Sequence, residues 1–237
     1  MKKAALLFLL CIALGATYAS AMIIGSTNPN QFNDVVDWCV QFNNCANTPF
    51  IEPSPSPFTS AGNVTGLVGN VGTQQPFEVR QQGVSWNGNF PANMGILYNG
   101  VQSLNNTPAD MAALFNVGVY GAGAYIQPPN FGAFTATITL FDANYQPLGS
   151  FSAQGDSNNN QGTALFIGAY DSSADVFAAQ FSVKDINGID DFAIGTLKLN
   201  TNGVVPEPGT LLLIAPSALG LAGVVRRRMN RKSQEVQ

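Results

Sequence analysis

The segment Phe134-Thr135-Ala136-Thr137-Ile138-Thr139-Leu140-Phe141 alternates between apolar and polar side chains. Side chains of a β-strand point alternately to opposite faces of the sheet, so this pattern predicts a strand with one buried face and one polar face. We expect the core face to consist of Phe134, Ala136, Ile138 and Leu140. The opposite face is expected to carry a row of threonines, Thr135, Thr137 and Thr139.

The residues that follow continue the strand pattern. Residues 141–151 are predicted to form a hairpin with its turn at Asn144, because polar turn formers separate two apolar stretches there. Residues 164–170 and 176–183 are predicted to pair with each other through the polar turn 171–174.

No segment between residues 22 and 205 keeps a helical period for more than two or three turns. Asn-Gly pairs, which favour tight turns with positive φ, recur along it. Strands are predicted at residues 64–71, 77–82, 94–98, 111–116, 119–127, 134–141, 148–153, 164–170, 176–183 and 192–199. Short strands at this spacing predict an all-β fold, a single jelly-roll-like β-sandwich over residues 61–204.

Residues 22–60 are predicted to be an N-terminal extension ahead of the sandwich. Proline occupies every second position in Glu52-Pro53-Ser54-Pro55-Ser56-Pro57, which predicts a stiff connector that cannot lie inside a sheet. Residues 34–38 are compatible with a short helical turn or with an edge strand.

Cys39 and Cys45 are predicted to form a disulfide, since they remain as a pair once Cys11 is removed with the N-terminal segment. The bond closes a small loop, so its expected contribution to stability is about 2 kcal/mol. A metal site at these cysteines is the alternative, but the chain has no His to complete a Cys₂His₂ set.

Residues 1–21 are predicted to be a signal peptide that signal peptidase removes. Lys2 and Lys3 supply positive charge, residues 4–15 are apolar, and Ala19-Ser20-Ala21 fits the cleavage pattern. A chain with this segment is expected to be exported.

Residues 205–232 combine three elements. Pro206 and Pro208 hold Glu207 in an extended segment. Residues 209–225 carry no charge, and as a helix they would rise roughly 25 Å, the lower limit for a transmembrane span. Positive charge follows at once in Arg226, Arg227 and Arg228, which marks the cytoplasmic side of a membrane.

This tail resembles the PEP-CTERM sorting signal of exported bacterial proteins. Pro206, Glu207 and Pro208 match its motif, and Arg226–Arg228 match its basic cluster. The resemblance implies that a membrane-embedded cysteine transpeptidase, exosortase, cuts the chain near the motif. It also implies transient contact with the inner membrane and a final place in the cell envelope, at the cell surface or in the extracellular matrix. An ordinary C-terminal membrane anchor is the alternative.

Three sequence segments within the predicted sandwich also resemble the jelly-roll domains that commonly precede this tail. They lie at residues 141–151, 165–168 (Leu-Phe-Ile-Gly) and 191–194 (Asp-Phe-Ala-Ile). The resemblance covers about residues 60–200 and implies a fold without implying an activity.

The region between the two signals is strongly acidic. Residues 22–205 contain twelve acidic and three basic residues, a formal charge of −9, against −4 for the whole chain. Such a surface repels nucleic acid, so nucleic-acid binding is excluded, and neutral ligands or cations are favoured.

The residue types argue against catalysis. Without His, the chain has no Ser-His-Asp or Cys-His arrangement, and neither a phosphate loop nor a dinucleotide motif occurs. Glu52 and Glu78 are the only glutamates between the signals, and most aspartates lie in predicted turns. We predict that the domain is not an enzyme and needs no cofactor. Ca²⁺ is the one ion that we consider as a ligand.

A calcium site is considered at Asp185, Asn187, Asp190 and Asp191, whose oxygens flank a glycine turn. The alternative interpretation is a polar hairpin turn. The looser polar loop at residues 156–160 carries the same two interpretations.

Two surface features are considered for ligands. Trp86 lies at a predicted turn, where its ring is suited to stack on a sugar, and the alternative is a tryptophan that anchors the core. The threonine row resembles ice-binding surfaces, but no second Thr-x-Thr occurs in the domain.

The sequence therefore predicts an exported, exosortase-processed surface or matrix protein with a non-catalytic sandwich. The alternative is a carbohydrate-binding module, with or without calcium assistance, that acts on extracellular polysaccharide.

Overall fold

The computed structural model describes residues 23–42, 45, 49–100, 109–185, 188–189 and 191–202. The chain divides into two units, residues 1–203 and 204–237, and all described residues belong to the first. The predicted signal peptide (1–21) and sorting tail (205–232) therefore lie outside the described residues.

The described residues form two antiparallel sheets. The eight strands of sheet A are β1 (Ile24–Ser26), β2 (Asp34–Val36), β3 (Phe50–Glu52), β6 (Phe77–Gln81), β7 (Gly95–Tyr98), β9 (Gly121–Gln127), β12 (Leu165–Tyr170) and β15 (Ala193–Asn200). The seven strands of sheet B are β4 (Ser56–Thr59), β5 (Thr65–Asn70), β8 (Met111–Val119), β10 (Gly132–Phe141), β11 (Pro147–Ser157), β13 (Val176–Asp185) and β14 (Gly188–Ile189).

The longest strands lie in the middle of sheet A but towards one edge of sheet B, where β11 is the terminal strand. Sheet A runs β1-β12-β9-β15-β7-β6-β3, with β2 also paired to β15. Sheet B runs β11-β10-β13-β8-β5-β4, with β14 also paired to β13. A short 3-10 helix (Pro29–Gln31) and a one-turn helix α1 (Trp38–Gln41) precede the longer strands.

The core lies between the two sheets. On β10 the predicted alternation is confirmed, since Phe134, Ala136, Ile138 and Leu140 are buried and the threonines between them are half-buried. Sheet A faces them with the alternate residues of β9 and β12, which belong to the same buried cluster. Each fully buried Leu, Ile or Phe stabilises the folded state by about 1.5–3 kcal/mol. Two antiparallel sheets that enclose one core confirm the predicted β-sandwich.

Of the two predicted strand pairings, one is confirmed and the other is wrong. The hairpin around Asn144 is confirmed, because β10 pairs with β11 and the Asp142 carboxylate accepts hydrogen bonds from the backbone of Asn144 and Gln146, each at 2.8 Å. The predicted pairing of residues 164–170 with 176–183 is wrong. β12 pairs with β1 and β9, whereas β13 pairs with β8, β10 and β14, so the turn after Tyr170 carries the chain from one sheet to the other.

The separate extension predicted for residues 22–60 is also wrong. Its residues supply four strands, β1 to β4, to the two sheets. The proline-rich connector contributes to two of them, because Glu52 ends β3 and Pro57 lies in β4. Both are edge strands, where a residue without an N–H donor is tolerated. Residues 34–41 provide both predicted alternatives, strand β2 and then helix α1.

Asp34 ties this early segment to both sheets. It lies on β2 and is buried, and its carboxylate accepts hydrogen bonds from the Gly62 backbone N–H at 2.7 Å and from the Ser60 hydroxyl. The Ser60 oxygen in turn accepts from the Val64 N–H at 2.9 Å. A sheet A strand is thereby fixed to the β4–β5 turn of sheet B.

Candidate functional site

The outer face of sheet A is covered by its own loops. Residues 82–94 fold over it and bring Trp86 and Phe90 against Ile96, Tyr98 and Ala193, which form a second buried cluster. Farther along the sheet, Phe32 packs on Phe166 and Tyr170. Burial raises the pKa of the Tyr125 and Tyr170 phenols above their ordinary value, so both stay neutral near pH 7.

Trp86 is buried in this cluster, with 6% of its surface exposed. Its ring packs against Tyr98 and Phe90, with centroid distances of 5.2 and 6.3 Å, and the Arg80 guanidinium lies 5.5 Å from its centroid. An enclosed ring offers no open face for a sugar to stack on. The structure therefore favours the alternative interpretation, a tryptophan that packs in a core.

A buried polar network holds the covering loop in place, and the sequence analysis missed it. The Asn89 backbone N–H donates to the Gln127 side chain at 2.7 Å, and the Gln127 amide donates to the Ser157 hydroxyl at 2.9 Å. The Asn89 side chain accepts from the Asn158 N–H at 2.7 Å and donates to Thr163 at 2.8 Å. In sequence, Asn89 resembles an ordinary turn residue, so no signal distinguished it.

The outer face of sheet B is open by contrast. Three neighbouring strands, β11, β10 and β13, each present three side chains on this face. All nine side chains end in a hydroxyl, an amide or a lysine amine. We call this surface the hydroxyl face, and its residues are Ser150, Ser152, Gln154, Thr135, Thr137, Thr139, Gln180, Ser182 and Lys184.

Strand register aligns these side chains in rows across the face. Thr139 lies between Ser150 and Gln180, and Thr137 lies between Ser152 and Ser182. The Thr137 and Thr139 hydroxyls bond those of Ser152 and Ser150, each pair at 2.8 Å. The predicted line of threonines along β10 thus lies between two similar lines. The one along β11 carries Ser and Gln, and the one along β13 carries Gln, Ser and Lys.

At one end of the hydroxyl face, Thr135 lies between Gln154 and Lys184, and this third cross-strand row opens into a cleft of about 320 Å³. Thr135, Gln154 and Lys184 line it together with Asp185. Among the described residues, the side chains of Thr135, Gln154 and Lys184 make no hydrogen bond or ion pair with one another or with other groups. Three polar side chains therefore converge on one cleft with their bonding capacity unused.

A second cleft, of about 520 Å³, lies between α1 and the β4–β5 turn. Its main polar groups are already engaged. The Asp37 carboxylate accepts from the Cys39 N–H at 2.8 Å, and the Gln41 side chain accepts from the Thr59 N–H at 2.9 Å. The cleft on the hydroxyl face is therefore the better candidate for binding.

The predicted calcium ligands are only partly described. Asp185 lies opposite Gly188 in the β13–β14 hairpin, and Asp191 lies just before β15, where its carboxylate is next to Gly100 and Tyr98. Asn187 and Asp190 lie outside the described residues. Among the residues that are described, no group of three or more His, Cys, Asp or Glu side chains could hold a metal ion.

We expect the melting temperature of the chain to be the same in Ca²⁺ and in EDTA, because backbone pairing of Asp185 with Gly188 fixes these two positions without a cation. Differential scanning calorimetry measures this directly. A calcium-specific rise, equivalent to about 2.7 kcal/mol at a hundredfold excess over Kd, would instead establish a site. It should then disappear in the Asp190→Asn/Asp191→Asn variant and be weaker with Mg²⁺.

The polar loop at 156–160 has its side chains engaged internally. The Asn158 amide donates to the Asp156 carboxylate at 2.8 Å, and the Asn158 side-chain oxygen accepts from the Asn160 N–H at 2.7 Å. The turn interpretation accounts for these residues.

The Cys39–Cys45 disulfide is confirmed, with 4.9 Å between the two Cα atoms. Disulfides persist in oxidising compartments, which is consistent with an exported protein. The sorting residues, Pro206 to Pro208 and Arg226 to Arg228, lie outside the described residues. Within the described part, no helix is long and apolar enough to cross a membrane.

The described carboxylates serve structural roles where their contacts are known. Glu78 forms an ion pair with Arg80 at 2.7 Å, and Asp34 joins two sheets. The absence of catalysis stays a prediction.

No protein-family model and no curated protein matches the chain. Among solved structures, it is similar to a DUF4465 family protein from Bacteroides caccae, with 15% identity, 71% of this chain and 100% of that chain covered, and a TM-score of 0.35. It is also similar to the enzymatically active domain of bacteriophage CBA120 tailspike protein 4, with 17% identity, 73% and 22% covered, and a TM-score of 0.29. A third similarity is to the K1 cleaved adhesin domain of Lys-gingipain from Porphyromonas gingivalis, with 14% identity, 62% and 98% covered, and a TM-score of 0.24. At these TM-scores the similarities support no conclusion about function.

Proposed function

We propose that the chain is an exported protein which an exosortase cuts near Pro206–Pro208, leaving a non-catalytic β-sandwich at the cell surface or in the extracellular matrix. The tripartite tail at 205–232 carries this proposal, and the signal peptide pattern at 1–21 supports it. The Cys39–Cys45 disulfide supports export independently, because it requires an oxidising environment.

Intact-mass analysis of the protein recovered outside the inner membrane tests the proposal. We expect a species that has lost residues 1–21 and most residues beyond Pro208. A surface-exposed species that retains Arg226–Arg228 would contradict processing and would favour an ordinary membrane anchor.

A second candidate function, binding of a neutral polysaccharide, is favoured by the hydroxyl face and its cleft. Sugar hydroxyls both donate and accept hydrogen bonds, as do Thr and Gln side chains. Thr135 and Gln154 have this capacity free within the cleft. The acidic domain disfavours polyanions, so the ligand that fits is an uncharged glycan.

We expect the Thr135→Val/Gln154→Ala variant to bind a neutral polysaccharide about 5- to 150-fold more weakly than the wild type. The loss corresponds to two hydrogen bonds of about 0.5–1.5 kcal/mol each. Affinity electrophoresis in gels that contain soluble neutral glucans or galactans gives the retardation. Gln74→Ala, an exposed glutamine between β5 and β6, is the matched control. Equal retardation of both variants would argue against the cleft.

A further inference from the structure

Strand β11 is a long edge strand without the usual protection. It forms one end of sheet B and pairs with β10 alone among the described strands. From Pro147 to Gly155 it contains no charged residue, and proline occurs only at its first position. Half of the backbone N–H and C=O groups of such a strand point away from the sheet and can accept a further strand.

The other edges among the described strands are protected. β1, β2 and β3 have three residues each, β14 has two, and β3 ends at Glu52 next to Pro53. β4 has four residues and contains Pro57. Short length, charge and proline all hinder strand addition, so β11 is the edge that is suited to it.

The residue pattern of β11 is complementary to itself. If two copies pair antiparallel about a two-fold axis at Phe151, Ser150 of each copy lies opposite Ser152 of the other. Hydroxyl pairs of this kind already join β10 to β11 at 2.8 Å. A serine hydroxyl donates one hydrogen bond and accepts two, so each can bond a second neighbour. Asp156 then lies opposite Gln146, and no two acidic side chains meet.

The inner face of β11 is also incomplete. Phe151 packs against the main core and lies against Gly25 of β1, yet it stays half-buried at the side of the sandwich. A second Phe151 across the axis would complete its burial. Removal of apolar surface from water stabilises such a contact by about 25 cal/mol per Å².

We propose that two copies of this chain associate through β11, antiparallel about Phe151, so that sheet B and its hydroxyl face continue from one copy into the other. The contact is isologous and closes as a dimer. The dimer presents two copies of the face side by side.

Sedimentation equilibrium of the full chain in mild detergent, with about 0.5 M salt to screen the acidic surfaces, tests the proposal. We expect a monomer–dimer equilibrium in the wild type. Ser152→Lys places a charge on the edge and should raise the dissociation constant about tenfold or more. Ser182→Lys makes the same change on the same face, but on the interior strand β13, and should leave it within about twofold.

A wild type that stays monomeric, or a dimer that persists in Ser152→Lys, would overturn the proposal. The second result would locate the contact elsewhere in the chain. Should Ser152→Lys fail to fold, cysteine cross-linking gives an independent answer. Ser150→Cys and Ser152→Cys chains should form a disulfide-linked dimer when mixed and oxidised, and neither should do so alone. Failure of the mixture to cross-link would also overturn the proposal.

Discussion

Trp38→Ala is expected to lower the free energy of unfolding by about 3–5 kcal/mol. Trp38 is fully buried at the start of α1, and its ring packs against Phe58 and Phe42 with centroid distances of 6.2 and 6.3 Å. Its indole N–H donates to the Gly195 carbonyl of β15 at 2.7 Å. Truncation would remove both contacts and leave a cavity between the early segment and sheet A. Urea denaturation, followed by circular dichroism, measures the loss.

Three further variants separate the contributions. Trp38→Phe keeps most of the ring and loses the hydrogen bond, so it should cost about 1–3 kcal/mol. Trp86→Phe should cost less, because the Trp86 indole N–H has no partner among the described residues. Cys39→Ser, which opens the nearby disulfide, should cost about 2 kcal/mol. A Trp38→Ala loss smaller than that of Cys39→Ser would show that the early segment is held mainly by the disulfide.

The long strands were predictable because local pattern alone determines them. In β10, alternation over eight residues is strong enough to assign each side chain to the core or to the surface before any partner strand is known. The hairpin to β11 was predictable for the same reason, since Asp142 and Asn144 are turn formers between two such patterns.

The short edge strands were not predictable from local pattern. β1, β2 and β3 have three residues each, too few for alternation to show, and prolines beside β3 and within β4 argue against strands. Pairing with a sheet edge overrides that local preference. The chain passes from sheet A to sheet B between β12 and β13. Such a crossing also depends on long-range contacts rather than on the turn sequence.

Of the three strands that form the hydroxyl face, only the contribution of β10 could be predicted from sequence. The threonine row of β10 follows from alternation, but its continuation by Ser150, Ser152 and Ser182 requires the strand register. Trp86 was misleading for a related reason, because the network around Asn89 that encloses it joins residues nearly 70 positions apart. Exposure of a turn residue is a tertiary property.

Glu207→Ala is expected to slow cutting of the tail strongly while membrane insertion continues. If the exosortase binds the Glu207 carboxylate by charge-assisted hydrogen bonds worth about 1.5–3 kcal/mol, its loss slows cutting about ten- to hundredfold. Immunoblots with an antibody to the sandwich should then show uncut precursor in the membrane fraction. Glu235→Ala removes an acidic residue beyond the arginines and serves as the matched control. Equal cutting of the wild type and Glu207→Ala would show that the motif is not recognised.

Arg226, Arg227 and Arg228 should act at a different step. Each basic side chain costs about 2.5–3.5 kcal/mol to move into the bilayer. If residues 209–225 span the membrane as proposed, the cluster should hold them there with the arginines on the cytoplasmic side. Their replacement by Gln should release uncut chain, whereas Glu207→Ala should retain uncut chain in the membrane. These two outcomes separate anchoring from recognition. If both variants stay in the membrane uncut, the arginines belong to the recognised motif and the apolar segment alone anchors the chain.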